Sequence, residues 1–188
     1  MNPKLPSPAS GSVEPLPRRD MTARPPEALL PYFDALEAVS AAIPVQQLEA
    51  LVGSWPITAE QLGDAIQIDD GAYVRTLVFE RAHVEVLVMA WLPGQRSPIH
   101  DHGGSACAVR VVSGAALERL YEKRDDGRVV ATGERRLTIG GVTSSFDDDI
   151  HSFGNAAEGP ASPRDILVTI HVYSPPLRPT RKYVEAAP

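Results

Sequence analysis

The sequence predicts a mainly β protein, an antiparallel barrel or sandwich that follows a short helical region. Residues 70–177 form a series of short apolar, β-branched stretches, and turns containing glycine, proline or aspartate separate them. No helical pattern interrupts this series. Many short strands with regular turns are typical of antiparallel sandwiches and barrels. The expected strands are residues 73–79, 84–91, 106–112, 115–121, 129–137, 142–146 and 166–173.

The composition of the chain divides it into a tail and one larger unit. Residues 1–26 contain seven prolines and few large apolar side chains. Such a segment cannot bury enough surface to offset its ordering entropy, so we expect a flexible tail. The chain of 188 residues has the length of one domain, so we expect the remainder to fold as one. Its expected parts are a helical region at 27–69, the barrel at 70–177 and a C-terminal tail at 178–188.

The helical region carries start and stop signals. Its apolar residues first follow helical spacing, and Pro44 is expected to end that first element. Thr58 and Gln61 form a capping box, which predicts a second helix start.

Charge and cysteine content exclude several functional classes. A formal net charge of -6 argues against a nucleic-acid or anionic-membrane partner. No apolar run approaches a membrane span, and the first 25 residues lack the apolar region of a secretory signal. The single cysteine, Cys107, excludes an intrachain disulfide and is typical of a reducing compartment. We therefore expect a cytoplasmic protein. Separately, we expect it to act as a monomer.

Two histidines one residue apart are the first candidate functional residues. His100 and His102 lie within residues 94–114, and on a strand both imidazoles would point to one side. Two neighbouring imidazoles form half of a transition-metal site. A surface His-Asp-His sequence explains the pair equally well on its own. The other histidines are His83 in an expected solvent-facing turn, His151 at an expected strand end near the barrel mouth, and His171.

The spacing around these histidines resembles the two cupin motifs. The first motif is matched by Gly94, His100, His102, Cys107 and Gly114, with cysteine where most cupins have glutamate. The second is matched less closely, by Gly140, His151 and Asn155, and its Pro-x-Gly is replaced by Phe146-Asp147-Asp148. This resemblance implies a cupin-type antiparallel β-barrel, or jelly roll, with short N-terminal helices.

A more specific set of residues lies between Tyr73 and Leu177. It consists of Tyr73-x-Arg75, Trp91, Ser97-Pro98-Ile99-His100-Asp101-His102, Cys107, His151-x-x-x-Asn155 and His171-Val172-Tyr173-Ser174-Pro175-Pro176-Leu177. With these residues the chain resembles, over about residues 73–177, the cysteine dioxygenase family of cupins. The resemblance implies an Fe(II) enzyme that adds both atoms of O₂ to the thiol of L-cysteine, giving cysteine sulfinic acid. It implies His100, His102 and His151 as the iron ligands.

A ligand set of three imidazoles has a physical consequence. Neutral ligands leave Fe(II) its full double charge, which favours an anionic thiolate, whereas the commoner iron triad contains a carboxylate. On Zn²⁺ the same imidazoles would support hydrolysis or hydration, and the sequence alone does not separate the metals. Residues 147–149 could add a stray carboxylate ligand, although we expect a solvated acidic loop there. The resemblance implies iron.

The resemblance also assigns a substrate-binding role. Arg75, with Tyr73 beside it, would bind the substrate carboxylate, because a guanidinium offers two parallel donors. Family members with arginine at this position act on cysteine, whereas those with glutamine act on 3-mercaptopropionate, so the sequence favours cysteine. Arg96 and Arg110 are competing candidates.

Further catalytic candidates lie on the last strand. Thr169, His171 and Tyr173 alternate and can share one face, where a hydrogen-bond chain would carry the tyrosine hydroxyl to the substrate or oxygen. The alternative is an ordinary core strand. In animal members a cysteine at the position of Cys107 forms a thioether with the tyrosine corresponding to Tyr173. Both partners are present here, so we expect that the crosslink can form; otherwise Cys107 is a buried thiol.

Two other functions stay open. One is a dioxygenase for 3-mercaptopropionate or another small thiol. The other is a metal-binding cupin without oxygenase activity, such as a zinc hydrolase, an isomerase or a sensor.

Overall fold

The computed structural model describes residues 19–20, 24–159 and 165–187. Of the expected flexible tail, residues 1–26, only 19–20 and 24–26 fall within these ranges. Arg19–Asp20 form a two-residue strand, β1, that pairs in parallel with the next strand of the chain. The Arg19 guanidinium also forms an ion pair with Asp69 at 2.7 Å. This part of the expected tail is therefore attached to the sheet.

Short helices precede the barrel, as the sequence predicts. Pro44 does not end the first helix, which stops at Glu37; it caps the start of the second, because its fixed φ suits a helix start. Thr58 and Gln61 form the predicted capping box. No helix in the described ranges is long and apolar enough to span a membrane. The helices are α1 Leu30–Glu37, α2 Val45–Gly53 and α3 Ala59–Leu62, with 3₁₀ turns at Glu27–Leu29 and Gly63–Ala65.

Two β-sheets form the jelly roll that the sequence predicts. The larger has the order β1-β2-β3-β9-β4-β7 and the smaller the order β6-β5-β8. All pairs except β1–β2 are antiparallel. The strands are β2 Val74–Arg81, β3 Val84–Trp91, β4 Ala106–Ser113, β5 Ala115–Lys123, β6 Val129–Thr138, β7 Val142–Phe146, β8 Ile150–Asn155 and β9 Leu167–Ser174.

Strand β8 is missing from the strands predicted by sequence. His151 is the second residue of this strand, next to its first end. The pair Gly154-Asn155 resembles a turn, but it continues the strand. Glycine is required here because a β-carbon at Gly154 would lie 2.4 Å from the Gln95 carbonyl oxygen. A glycine within a strand often marks such a close approach of another backbone. Here it lets residues 95–101 lie directly against β8.

The larger sheet is buried on both faces, which explains its almost continuously apolar strands. On β3, alternate residues such as Val86 and Val88 face an outer core formed with the helices, which includes Leu36, Leu48 and Trp55. The intervening residues face the barrel interior. The inner core includes Leu87, Met89, Trp91, Cys107, Val109, Phe153 and Tyr173. The side chains of the barrel interior are therefore set by one face of the larger sheet and by β8.

The C-terminal segment is packed against the barrel, which contradicts the expected tail at 178–188 for the described residues. The Tyr183 N–H donates to the Ile99 carbonyl at 3.0 Å, and the Ala186 N–H donates to the Val129 carbonyl at 2.8 Å. The Arg181 N–H donates to the Asp101 carboxylate at 2.9 Å. The segment therefore closes one end of the barrel beside the two neighbouring histidines.

Candidate metal centre

Three imidazoles converge inside the barrel. His100 and His151 are directly opposite each other in an antiparallel bridge, with N–H to carbonyl distances of 2.9 and 3.0 Å. Opposite residues in such a bridge place their side chains on the same face. His102 lies two residues further on and joins them, and one ring nitrogen from each histidine lies within 4.8 Å of the others. This cluster could hold a metal ion.

The ligand segment differs from the expected strand. His100 and His102 lie in the connection between β3 and β4, outside the named strands. Hydrogen bonds fix this connection: the His102 N–H donates to the Asp147 carbonyl at 2.8 Å. Asp101 points away from the cluster, as expected, and its carboxylate accepts from the Tyr183 hydroxyl at 2.9 Å. The extended backbone therefore presents both imidazoles to one side without regular strand pairing.

Hydrogen bonds leave ring nitrogens available for a metal. His100 Nδ1 lies 2.9 Å from the Pro98 carbonyl oxygen, so Nδ1 carries the proton. The lone pair on the His100 Nε2 is therefore available to a metal ion. His102 has a buried Nδ1 with no hydrogen-bond partner in the described part of the chain, and its Nε2 lies 3.2 Å from the Ser145 hydroxyl. An unpaired buried nitrogen is costly unless it is ligated, so this donor set fits a metal ion.

Burial keeps two of the three imidazoles, those of His100 and His102, in the neutral form. Burial lowers the pKa of His100 well below its usual value, and the neighbouring His151 lowers it further. Burial, with His151 beside it, lowers the pKa of His102 to about 3. Among the described residues, no carboxylate belongs to the cluster, so the acidic loop at 147–149 supplies no ligand. The cluster thus offers imidazole nitrogens, and no carboxylate, to a transition metal.

Glu118 on β5 is a functional candidate that the sequence analysis missed. Its side chain is fully buried and its Oε1 accepts a hydrogen bond from His151 Nδ1 at 2.7 Å. Its Oε2 accepts from Arg135 Nε at 2.6 Å and from the Thr143 hydroxyl at 2.9 Å. Burial raises the pKa of Glu118, but the hydrogen bonds from His151 and Arg135 outweigh it and lower the pKa to about 2. The signal was a glutamate between Ala116 and Leu120, on the inward face of the strand.

A cavity of about 120 Å³ adjoins the histidine cluster. This volume is far below the roughly 300–1,000 Å³ of pockets that take drug-sized ligands, so it admits only a small molecule. Arg75 is 6% exposed and lines the cavity, and Tyr73 lines it while stacking on Trp91 at 4.0 Å. The competing arginines lie elsewhere: Arg96 donates to the Leu117 carbonyl and Arg110 to the Gly53 carbonyl.

The structure brings the alternating residues of β9 into a hydrogen-bond chain. The Thr169 hydroxyl lies 2.9 Å from His171 Nε2, and the Tyr173 hydroxyl lies 3.4 Å from His171 Nδ1. Trp91 Nε1 donates to the Thr169 hydroxyl at 3.0 Å, a contact that the sequence did not indicate. Burial, then Arg75, lowers the pKa of His171 well below its usual value, so the ring is neutral and can both donate and accept.

Cys107 lies opposite Tyr173 in the β4–β9 pair. Both side chains line the cavity. Burial raises the pKa of the Cys107 thiol despite its hydrogen bond with Tyr173, and burial also raises the pKa of the Tyr173 phenol well above 10. The thiol and the phenol therefore stay protonated at neutral pH, and Cys107 is not an activated nucleophile.

His83 and Pro98 are not part of the histidine cluster. His83 occupies the predicted turn between β2 and β3 and is partly buried, not solvent-facing. The cis peptide bond of the described residues is Ser174–Pro175, so the bond before Pro98 is trans.

A jelly-roll barrel with three inward imidazoles defines a cupin with a candidate metal centre. The sequence matches the family described as "Cysteine dioxygenase type I" over residues 29–186. The chain therefore belongs to the cysteine dioxygenase type I family.

Individual relatives are distant. Cysteine dioxygenase type 1 of Danio rerio is 25% identical over 164 residues, which are 84% of this chain and 80% of the relative. The Homo sapiens protein of the same name is 25% identical over 136 residues, covering 70% of this chain and 66% of the relative. Among solved structures, an RmlC-like cupin from Desulfovibrio desulfuricans is 18% identical with a TM-score of 0.45, covering 64% of this chain and 99% of that one.

Proposed function

We propose that the protein is an Fe(II)-dependent cysteine dioxygenase. The reaction adds both atoms of O₂ to the thiol of L-cysteine and gives cysteine sulfinic acid, so no other reductant is required. The observation that carries the proposal is a cluster of three imidazoles, which no carboxylate of the described residues joins, beside a buried arginine in a small cavity. Family membership supports the same activity.

The donor set explains a preference for thiols. His100, His102 and His151 would hold Fe(II), and their neutrality would leave the cation its full charge for an anionic thiolate. Bound iron would supply the positions at which the thiolate and O₂ meet. Zn²⁺ in the same site would favour activation of water, which is the main competing function.

The cavity explains a preference for a short amino acid. Arg75 would bind the substrate carboxylate through two parallel hydrogen bonds, with the Tyr73 hydroxyl beside it. Burial raises the pKa of Tyr73, so its hydroxyl remains a hydrogen-bond donor at neutral pH. The volume of about 120 Å³ favours small thiols over large ones.

The β9 chain would orient the Tyr173 hydroxyl toward the reacting atoms. Because the Thr169 oxygen accepts from Trp91, its own hydrogen can go to His171 Nε2. His171 Nδ1–H then donates to the Tyr173 oxygen, which leaves the phenolic hydrogen free for the cavity. In this arrangement Tyr173 donates a hydrogen bond to the substrate or to oxygen, and Thr169 and His171 position it.

Anaerobic reconstitution with Fe(II), followed by addition of cysteine and O₂, tests the proposal directly. We expect equal consumption of cysteine and O₂ and formation of cysteine sulfinic acid, detected by mass spectrometry. A matched Zn²⁺-loaded sample is the control and should consume no O₂. If the Fe(II) protein forms no sulfinic acid from cysteine, 3-mercaptopropionate or cysteamine, the oxygenase assignment is wrong.

A further inference from the structure

A second cation lines the same cavity as Arg75. Lys182 belongs to the C-terminal segment that closes the barrel, and its backbone forms a bridge with His100. Its Nζ donates to the Thr180 hydroxyl at 2.9 Å, and Thr180, which is 2% exposed, also lines the cavity. The ammonium group is therefore held at the cavity wall beside the histidine cluster by a defined backbone pairing.

Lys182 forms no ion pair among the described residues. The carboxylate of Asp101, which interacts electrostatically with it, already accepts hydrogen bonds from the Arg181 N–H and the Tyr183 hydroxyl. The Thr180 hydroxyl uses one of the three donors of the ammonium group, which leaves two. A bound anion would therefore add stabilisation to this partly buried cation.

We propose that Lys182, with Thr180 beside it, binds a second acid group of the substrate, so that the cavity accepts small thiols with two carboxylates. The carboxylate nearer the sulfur would lie on Arg75 and the farther one on Lys182. The inference rests on the proposed function for thiol oxygenation, but not for anion binding.

Binding of dianions that lack sulfur tests the site without turnover. Isothermal titration of the as-purified protein should show succinate binding about tenfold more tightly than propionate, because a second charge-assisted contact forms. Lys182→Met should remove most of this difference, and Lys182→Arg, which keeps the charge, should retain part of it. Lys123→Met, the same change at an exposed lysine on β5, is the matched control and should keep the full difference. Thermal melting of each variant checks that the fold is intact.

Turnover then connects the site to substrate choice. With Fe(II)-loaded protein, Lys182→Met should lower kcat/KM for mercaptosuccinate about tenfold more than for 3-mercaptopropionate. Equal losses on both thiols would mean that Lys182 shares a single carboxylate with Arg75, and would overturn the inference. A Lys182-dependent succinate preference without any O₂ uptake would instead leave the anion site standing and refute the oxygenase. O₂ uptake without a Lys182-dependent succinate preference would instead support the oxygenase and refute the anion site.

Discussion

Glu118 holds His151 through a hydrogen bond of 2.7 Å from the imidazole Nδ1 to the carboxylate Oε1. Because the carboxylate is ionised and fully buried, it fixes the proton on Nδ1 and leaves Nε2 facing the other two histidines. The second carboxylate oxygen is occupied by Arg135 and Thr143, so Glu118 cannot turn toward the cluster to become a ligand itself. Glu118 thus orients one candidate ligand and does not itself join the histidine cluster.

Glu118→Gln should weaken metal binding while leaving the three imidazoles in place. Partners that orient ligating histidines typically change metal affinity by about 10–100-fold when mutated. Glutamine keeps the shape of the side chain, but its NH₂ group would lie against a group that now donates a hydrogen bond to the Glu118 carboxylate. Competition with a chromophoric chelator measures Fe(II) and Zn²⁺ affinity, and Glu134→Gln, which alters an exposed carboxylate paired with Arg119, is the control. Unchanged affinity in the Glu118 variant would show that the hydrogen bond does not tune the site.

Arg75→Gln should raise KM for cysteine by about 10–100-fold, because a hydrogen-bonded charge pair with the carboxylate is lost. Cysteamine has no carboxylate, so its KM should change far less. Steady-state O₂ uptake with both thiols measures the two effects. Arg96→Gln, at an arginine that binds the Leu117 carbonyl outside the cavity, is the matched control. Equal effects of the Arg75 change on cysteine and cysteamine would contradict the carboxylate contact.

The sequence predicts most of the barrel because one face of the larger sheet packs on helices and the other on the interior. Both faces are apolar, which gives the strands long β-branched runs that are visible without a structure. Strand β8 does not show such a run. It is six residues long, follows three aspartates and contains Gly154, whose missing side chain admits residues 95–96 and does not mark a turn.

The histidine cluster was visible in the sequence because two of its members are neighbours and the third lies in a recognisable spacing. The roles of Glu118 and Lys182 were not visible in the sequence. The role of Glu118 depends on which face of β5 points inward, and that of Lys182 depends on how the C-terminal segment returns to His100. Single charged residues on strands or near a terminus are most often solvated, and only long-range packing distinguishes the exceptions. The sequence therefore predicted the candidate ligands and left their surroundings to the structure.

Thr169→Val should slow turnover and Thr169→Ser should not. Valine keeps the branched shape but removes the hydroxyl that joins Trp91 to His171. His171 Nε2 then loses its hydrogen-bond partner, and the Tyr173 hydroxyl is no longer oriented. We expect kcat to fall about tenfold or more with a smaller change in KM, because the contact matters mainly after substrate binds. The unpaired Trp91 N–H should also lower the free energy of unfolding by about 1–3 kcal/mol. Chemical denaturation and steady-state kinetics of both variants separate the two effects; a serine variant as slow as the valine variant would refute the hydrogen-bond chain.

Cys107 and Tyr173 should become joined by a thioether during turnover. The two residues are cross-strand partners and both side chains line the cavity, so the sulfur and the phenol lie on the same face of the sheet. Burial keeps both groups protonated, and they will not react without an oxidant. Joining sulfur to a ring carbon breaks one S–H and one C–H bond, and the two protons and two electrons pass to O₂ as hydrogen peroxide. Intact mass spectrometry after turnover with cysteine should show a fraction of the protein lighter by two hydrogens. Cys107→Ser removes the nucleophilic sulfur and should give no such species under the same conditions; an unchanged mass of the wild-type protein after many turnovers would show that the pair stays unlinked.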